Sequence, residues 1–208
     1  MNPLSWWEER VLPRLVDVAL SDATSRRWRE LVVTRASGRV LEVGFGSGRN
    51  LDYYRESVTE VLAVEPMDLA WERARERVES FEGPVRRIGL DGASLPVESG
   101  SVDTVVSTWT MCTIPSLTAA ISEMRRVLRP SGALLFVEHV ASRHPRAGAI
   151  QRGVQPAWGP LSGGCRLDRD TEALLEAGGF SVTPLSPRPD PRRFELVPFV
   201  SGEARPTA

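Results

Sequence analysis

A glycine-rich turn constrains this chain more than any other feature of its sequence. Residues 40–50 read VLEVGFGSGRN: an apolar run with one acidic residue, three glycines at alternate positions, and the expected start of a helix. Such glycines let the backbone bend sharply and approach a ligand where a side chain would block it. Free N–H groups at the start of the helix would point at a carboxylate or phosphate. The pattern therefore predicts a nucleotide-type cofactor pocket at the end of a buried strand.

Details of the turn separate the candidate cofactors. A dinucleotide site has the form G-x-G-x-x-G, whereas Gly44, Gly46 and Gly48 follow the form G-x-G-x-G. Arg49 stands where the third dinucleotide glycine would be, and Glu42 would attract an ammonium group but repel a pyrophosphate. The chain also has no lysine, so it lacks the Tyr-Lys pair of a nicotinamide-dependent oxidoreductase. That class of enzyme and a non-catalytic cofactor-binding protein remain alternative hypotheses.

An acidic residue follows the next predicted strand, Val58–Val64. Glu65 lies 21 residues after Gly44, close to the spacing of roughly 20 at which an acidic residue binds ribose hydroxyls in nucleotide-binding folds. A carboxylate can accept hydrogen bonds from both hydroxyls of an unphosphorylated ribose. We therefore predict that Glu65 binds a ribose; a solvated loop glutamate is the alternative.

Three further motifs follow in chain order: GLDGASLPV at 89–97, SVDTVVS at 101–107 and VLRPSGALL at 127–135. Together with the E-x-G-x-G-x-G run and the acidic residue after the second strand, they resemble the class I S-adenosylmethionine-dependent methyltransferases over most of residues 36–200. Later segments are similar to a narrower group of small methyltransferase-like proteins, which includes membrane-associated alkyl-thiol methyltransferases of animals. These segments are STWTMCTI at 107–114, FVEHV at 136–140, QPAW at 155–158 and GC at 164–165.

The resemblance implies a fold and a cofactor. The fold would be Rossmann-like α/β, with a mostly parallel seven-stranded sheet, helices on both faces and an antiparallel last strand. The alternation of predicted strands and helices independently favours the α/β class. The cofactor would be S-adenosylmethionine, with its adenine amino group bound by Asp91, for which helix capping is the alternative. The implied cofactor-binding residues are Glu42, Gly44, Gly46, Gly48, Asn50, Glu65, Pro66, Met67, Asp91, Gly92, Ala93, Thr108 and Trp109.

The resemblance also implies methyl transfer to a small molecule, with the sulfur of a thiol as the favoured acceptor. Displacement at a sulfonium carbon mainly requires positioning of the nucleophile and exclusion of water. The candidate catalytic residues are His139, whose imidazole can accept a thiol proton at neutral pH, and Trp109, whose ring can face the sulfonium. The implied substrate-lining residues are Cys112, His139, Trp158 and Cys165; local packing is the alternative role for each. O- or N-methylation of a quinone, a natural product or a phospholipid headgroup is the alternative function.

Residue patterns predict a single domain over 1–208. Its parts would be a helical cap at 1–36, a cofactor-binding core at 37–140, a substrate lid at 141–167, and a C-terminal helix and hairpin at 168–200. The spacing of Leu4, Trp7, Val11, Leu15 and Val18 predicts an amphipathic helix over 4–20 that Pro13 kinks or divides. Other helices are expected over 22–36 from an Asp22 cap, 67–81, 116–128 and 169–177, and the last strands over Phe180–Leu185 and Arg193–Val200.

Composition argues against several partners. A net charge of −1 gives no basic footprint for nucleic acid or an anionic membrane. No apolar run approaches the ~18 residues of a membrane span, and the N-terminus lacks a signal-peptide pattern. The two cysteines, 53 residues apart, give neither a disulfide framework nor a metal-ligand pattern. We therefore expect a cytoplasmic, metal-free enzyme with a small-molecule substrate, no nucleic-acid partner and no stable membrane association; the sequence does not indicate an oligomeric state.

Overall fold

A seven-stranded sheet organises the molecule. The computed structural model describes residues 7–20, 23–89 and 91–207. The strands are β1 Gly38–Val43, β2 Val58–Val64, β3 Val85–Gly89, β4 Val102–Thr108, β5 Leu128–His139, β6 Phe180–Pro184 and β7 Phe199–Pro206. Their order is β3-β2-β1-β4-β5-β7-β6; β1 to β5 are parallel and β7 is antiparallel to both neighbours. The predicted fold class, with its antiparallel last strand, is confirmed.

Helices cover the faces and the carboxyl edge of this sheet. They are α1 Leu12–Ala19, α2 Ala23–Val32, α3 Asp68–Arg73, α4 Arg75–Ser80, α5 Leu117–Val127, α6 Pro145–Leu161 and α7 Thr171–Ala177. A single π-helical turn, Trp7–Val11, precedes α1, and 3₁₀ turns span Val33–Arg35 and Arg49–Tyr53. In the described part of the chain, no helix combines the length and hydropathy that a membrane crossing requires.

The sheet is buried on both faces because successive residues of a strand point in opposite directions. Along β1, Leu41 packs with residues of α5 and α7, whereas Val40 packs on the other face with Val32 and Val33. Both core clusters use apolar residues of every central strand. The carboxyl ends of the parallel strands are therefore held in fixed relative positions, where the loops that follow them can build a site.

The predicted face of the N-terminal helix is wrong. Leu15 and Val18, expected to point inward, are 50% and 68% exposed, whereas Pro13 is buried. The chain changes from a π-helical turn to an α-helix at Val11, so one constant residue spacing does not describe the whole segment. The residues of α1 that face inward are those that pack at the cavity. Pro13 does divide the segment, since it lies in the first turn of α1, where a missing N–H is tolerated. Leu4 and the Asp22 cap lie outside the described residues.

Two helix boundaries also differ from the predictions. The helix expected over 67–81 is two short helices, α3 and α4, that meet at Ala74. The helix expected to run to the Pro130 turn ends at Val127, and β5 begins at once. Its first residue, Leu128, pairs with Val102 at the start of β4, and this pairing draws the segment before Ala133 into the sheet.

The segment 141–167 contains a helix that its sequence pattern does not predict. Helix α6 has 17 residues, although Pro156 and Pro160 lie inside it and its apolar periodicity is weak. The buried side of α6 carries Ala147 and Gly148, which allow close approach, and Gln151, whose amide donates to the carbonyl of Leu196 at 2.9 Å. Tertiary contacts therefore outweigh the low helical propensity of this segment.

The last strand is longer and later than predicted. It spans Phe199–Pro206 rather than Arg193–Val200, and it pairs with β5 over residues 199–204 and with β6 over residues 202–206. Gly202 explains this register. An added Cβ at this position would lie 2.7 Å from the Phe136 ring on β5, so only a residue without a side chain fits opposite Phe136. Small residues at the centre of β7 accommodate the aromatic side chain of its neighbour, a fact that becomes visible only once the strands are paired.

Candidate active site

A cavity of about 260 Å³ opens at the carboxyl edge of the sheet. The turn after β1, the ends of β2 and β4, helices α1 and α2, and the turn that follows α6 contribute to its lining. Ligands bind at this edge in open α/β folds, where the strand order reverses beside β1. The predicted cofactor residues that line the cavity are Glu42, Gly44, Gly46, Asn50, Glu65, Pro66, Met67, Thr108 and Trp109.

The glycine turn has the conformation that its spacing predicts. Gly44, Gly46 and Gly48 all have positive φ, at 79°, 59° and 73°. A Cβ on Gly44 would lie 2.0 Å from Thr110 Oγ1, whereas one on Gly46 would meet nothing within 4 Å. The backbone at Gly46 therefore faces open space that a ligand can occupy. The turn leads into a 3₁₀ turn rather than the expected α-helix.

Glu65 connects the end of β2 to the glycine turn. Its Oε2 accepts from the N–H of Gly46 at 2.7 Å and its Oε1 from the N–H of Met67 at 2.8 Å. Burial raises the pKa of this carboxyl group, although both N–H contacts oppose the shift. Each oxygen retains a lone pair, because a carboxylate offers about four acceptor sites. The side chain is thus oriented to accept two further hydrogen bonds from a ligand.

Glu42 lies in a hydrogen-bonded network behind the turn. It is 1% exposed, and it accepts from Asn50 Nδ2 at 2.9 Å and from the Tyr54 hydroxyl at 2.7 Å. Burial raises the pKa of Glu42 to about 8, because desolvation outweighs both hydrogen bonds. Asn50 also contacts Thr108 Oγ1 at 3.1 Å, so the network joins the ends of β1 and β4.

Arg29 of α2 places a buried guanidinium group in the cavity, and no motif distinguishes it among the 26 arginines of the sequence. Its Nε donates to Asn50 Oδ1 at 3.0 Å, its Nη1 donates to the carbonyl of Leu20 at 2.8 Å, and its Cζ lies 4.8 Å from the centre of the Trp109 ring. Burial lowers the pKa of Arg29, yet a guanidinium stays charged in proteins. Its hydrogen bonds within the described chain are to neutral groups, which suits it to bind an anionic group of a ligand.

Asp17 joins helix α1 to the glycine turn. Its carboxylate accepts from Ser47 Oγ at 2.5 Å, from Arg49 Nε at 2.6 Å and from Arg73 Nη2 at 2.5 Å. Burial alone would raise the pKa of Asp17, but the three hydrogen bonds hold it well below its usual range. The sequence gives no signal for this residue, because its partners come from two distant segments, the glycine turn and α3.

Trp109 is strained at the end of β4. It is the one non-glycine residue of the described chain with positive φ, at 52°, a conformation found mainly at functional sites when the residue is bulky. Within the described residues its buried indole N–H has no hydrogen-bond partner. A ligand acceptor would satisfy this donor. Together with the open space at Gly46, this fits a cavity built to hold a polar cofactor.

The structure does not bring all predicted cofactor residues to the cavity. Asp91, Gly92 and Ala93 are not among the described residues that line it. Asp91 is exposed and accepts from the N–H of Ala93 at 2.8 Å, as in a local Asx turn. Gly48 supports the turn from behind, since an added Cβ would lie 3.2 Å from Ala74. The cofactor roles of Asp91, Gly92 and Ala93 therefore rest on the family resemblance alone.

The predicted substrate residues form a cluster of their own beside the cavity. Cys112, His139 and Cys165 place their ligand atoms within 4.8 Å of one another, so the expectation of no metal-ligand grouping is wrong. Cys165 Sγ lies 3.5 Å from His139 Nε2 and accepts from Trp158 Nε1 at 3.3 Å. None of these four residues is in the described lining of the cavity. The idea that His139 takes a proton from the acceptor therefore has no geometric support here.

The members of this cluster shift one another's pKa values. The interaction between the two nearby thiols lowers the pKa of Cys165 and raises that of Cys112, and the contact with His139 lowers the pKa of Cys165 further. Burial disfavours a charged imidazole, but the contact with Cys165 and the charge of Glu138 raise the pKa of His139. The two shifts run in opposite directions, and each favours the charged form of its group.

Comparisons with known proteins identify the family of this chain. A family model described as a methyltransferase domain matches residues 41–136. The chain is 35% identical to the thiol S-methyltransferase TMT1B of Homo sapiens, over 83% of this chain and 73% of that protein. It is 34% identical to a phosphatidylethanolamine N-methyltransferase of Cereibacter sphaeroides, over 65% of this chain and 66% of that protein.

A solved structure extends the agreement to the fold. An N-methyltransferase of Haemonchus contortus, bound to phosphomonomethylethanolamine and S-adenosylhomocysteine, superposes with a TM-score of 0.67 at 16% identity, covering 90% of this chain and 48% of that one. The oxidoreductase and non-catalytic hypotheses do not account for these matches. The chain belongs to the class I S-adenosylmethionine-dependent methyltransferases, and S-adenosylmethionine is its methyl donor.

Proposed function

We propose that this enzyme methylates the sulfur of a small, fairly apolar thiol. One observation carries the proposal: the acidic side chains that line the described cavity already accept hydrogen bonds from the protein. None of them is therefore left to act as the general base that an alcohol acceptor would require. Glu42 accepts from Asn50 and Tyr54, Glu65 from two backbone N–H groups, and Asp17 from two arginines and a serine. A thiol with a pKa of about 8.5 ionises in part without a base, whereas an alcohol does not. The similarity to a thiol S-methyltransferase supports the same acceptor.

We assign the cofactor contacts by charge and position. Glu65 would bind the ribose hydroxyls, Glu42 the ammonium group and Arg29 the carboxylate of the methionine portion, while the backbone at Gly46 would allow close approach. When bound, S-adenosylmethionine supplies a methyl group activated by a positively charged sulfur. The protein then has to orient the acceptor and exclude water.

The parts of the fold that exclude water are the proposed cap and lid. Within a single domain over 1–208, residues 1–36 would act as the cap, 37–140 as the cofactor-binding core, 141–167 as the lid and 168–200 as the supporting C-terminal region. Leu12, Val16 and Leu20 contribute apolar surface to the cavity from the cap, and Ser162 and Gly163 close it from the lid. An apolar wall of this kind favours an acceptor with little charge.

N-methylation of a phospholipid headgroup is the second candidate, because a relative at 34% identity is a phosphatidylethanolamine N-methyltransferase. Such a headgroup carries a phosphate. The guanidinium groups that line the described cavity are those of Arg29, which contacts Asn50, and Arg49, which pairs with Asp17 at 2.6 Å. With Arg29 assigned to the cofactor and Arg49 neutralised, a phosphate would find little positive charge, so the cavity favours the thiol.

A panel of thiols, phenols and amines tests the acceptor. We expect methylated thiols by mass spectrometry, at a rate that rises with pH toward the pKa of each thiol. Reactions without the enzyme measure spontaneous alkylation of thiolates, and this rate is subtracted. Methylation of phenols or amines with none of thiols would rule out sulfur as the acceptor and leave the methyltransferase assignment intact.

Replacement of Glu65 tests the ribose contact. We expect Glu65→Ala to weaken binding of S-adenosylhomocysteine and of 5′-methylthioadenosine alike by about 1–3 kcal/mol, because both carry the ribose and charged hydrogen bonds are lost. Calorimetric titration gives both affinities. Asp68→Asn is the matched control, since this nearby carboxylate has an 85% exposed side chain and does not line the cavity. Unchanged affinity in folded Glu65→Ala would remove Glu65 from the ribose.

The raised pKa of Glu42 gives a pH dependence with a definite sign. At pH 7 a carboxyl group with a pKa of about 8 is mostly protonated, and pairing with an ammonium group requires its ionisation. Binding of S-adenosylhomocysteine should therefore release a proton at pH 7, and affinity should rise by up to about tenfold per pH unit until pH 8.

Calorimetry in two buffers of different ionisation enthalpy measures the released proton. Glu42→Gln should abolish the release and flatten the pH profile. The control Glu123→Gln should keep both, because a hydrogen bond from Arg126 lowers the pKa of Glu123 to about 2 and that group is ionised throughout. A wild-type profile without proton release would place the ammonium group elsewhere.

A further inference from the structure

We propose that Cys112, His139 and Cys165 bind one thiophilic divalent cation of the zinc type, and that this ion holds the segment after α6 against the sheet. The three residues come from the loop after β4, the last position of β5 and the lid, respectively. The site would leave one coordination position open, as zinc sites with three protein ligands do. It is independent of the identity of the methyl acceptor.

The spacing of the donor atoms fits coordination. All three ligand atoms lie within 4.8 Å of one another, and His139 Nε2 is 3.5 Å from Cys165 Sγ. Zinc bonds of about 2.3 Å to sulfur and about 2.0 Å to nitrogen place tetrahedral donors about 3.6 Å apart. The sulfur and the nitrogen are therefore already at the separation that a shared ion requires.

A contact outside the three donors supports the same assignment. Trp158 Nε1 donates to Cys165 Sγ at 3.3 Å. Nε2 is the ring nitrogen of His139 that faces the sulfur, so it is the atom placed to coordinate a shared ion. Outer contacts of this kind orient the ligands of metal sites and strengthen binding.

The loop that carries Cys112 is also fixed in advance. Glu138 accepts from the N–H groups of Thr110 and Met111, both at 2.9 Å, and the N–H of Arg166 donates to the carbonyl of Cys112 at 3.0 Å. The two hydrogen bonds to Glu138 hold the loop to β5, and the hydrogen bond from Arg166 holds it to the lid. Little rearrangement is then needed when an ion binds.

A divalent ion would balance the negative charges of the two thiolates in this buried cluster. Cys112 is 2% exposed and His139 is 5% exposed, so unpaired charge here is costly. Two thiolates neutralise the two positive charges of the ion, and the imidazole remains neutral as a ligand. A cation of lower charge would leave one thiolate uncompensated.

The location of the site gives the ion a mechanical role. Cys165 lies two positions after Gly163, which lines the cofactor cavity together with Ser162. The carbonyl of Leu161, at the end of α6, also accepts from Trp7 Nε1 at 2.9 Å. A bound ion would tie this wall of the cavity to the ends of β4 and β5 and so restrain the opening of the lid.

Cobalt substitution tests the site without any methyl transfer. The full chain, stripped with a chelator under reducing conditions, should bind one equivalent of Co²⁺ with thiolate-to-cobalt charge-transfer bands and the d–d bands of a four-coordinate ion. Cys112→Ser combined with Cys165→Ser should remove the charge-transfer bands. Trp158→Phe should weaken binding about tenfold and keep the spectrum. His144→Gln, which changes the other histidine, should alter neither.

Amide hydrogen exchange tests the role of the ion. Zinc should slow exchange over residues 145–167 in the wild type and not in the double cysteine variant. Absence of cobalt uptake by reduced wild-type protein would overturn the site, as would an unaltered spectrum in the double variant or a Cys112–Cys165 disulfide in the protein as isolated. Unchanged exchange would overturn the lid restraint. Trp158 is 43% exposed, so its variant tests the site even if the cysteine variants do not fold.

Discussion

Gly46→Ala should lose cofactor affinity by about 2 kcal/mol, roughly 30-fold, while Gly100→Ala should lose none. The two glycines form a matched pair: their φ values are 59° and 62°, and at neither would an added Cβ meet another atom within 4 Å. Both variants place alanine in the left-handed region, so both should lose about 1–2 kcal/mol of stability. Only the methyl group added by Gly46→Ala would project beside the cofactor cavity.

The comparison separates strain from contact with the ligand. Denaturant unfolding measures the shared cost, and titration with S-adenosylhomocysteine measures the difference. Equal affinity losses in the two variants would show that the effect spreads through the fold. Equal affinities close to wild type would show that the cofactor does not approach the backbone at Gly46.

Arg29→Met should weaken binding of S-adenosylhomocysteine by about 1.5–3 kcal/mol, because a buried charged hydrogen-bond donor is removed. Methionine retains most of the apolar volume of the side chain, so packing against Trp109 is disturbed little. Binding of 5′-methylthioadenosine should be unaffected, since this nucleoside lacks the amino-acid portion whose carboxylate we assign to Arg29. The ratio of the two affinities therefore reports the contact itself.

Arg27→Met serves as the control for Arg29→Met. Arg27 is exposed on the same helix and does not line the cavity, so its loss should change neither affinity. A parallel loss of both ligands in Arg29→Met would indicate that the guanidinium only supports Asn50 and the loop geometry. Unchanged binding of both would place the carboxylate elsewhere.

Local sequence determined the centre of the candidate active site. The glycine turn and Glu65 each follow a strand directly, so strand, turn and ligand-facing group are encoded within a few contiguous residues. Alternating strands and helices likewise indicated the α/β class, because parallel strands require crossover connections. The identification of the methyltransferase family from ordered motifs rested on the same short-range signals, and the comparisons confirmed it.

Tertiary structure decided what depends on residues distant in the chain. Asp17 and Arg29 reach the cavity only because the cap folds over the edge of the sheet, and their helical segments carry no motif that marks them. Helix α6 and the register of β7 are set by packing partners that override local propensity.

The cysteine cluster shows the same limit most clearly. Cys112 and His139 meet because β4 and β5 are parallel neighbours whose ends lie at one edge, and α6 returns the chain so that Cys165 joins them. A separation of 53 residues between the cysteines conveys no proximity by itself. Strand pairing and helix packing turn that separation into a contact, and sequence spacing does not encode them.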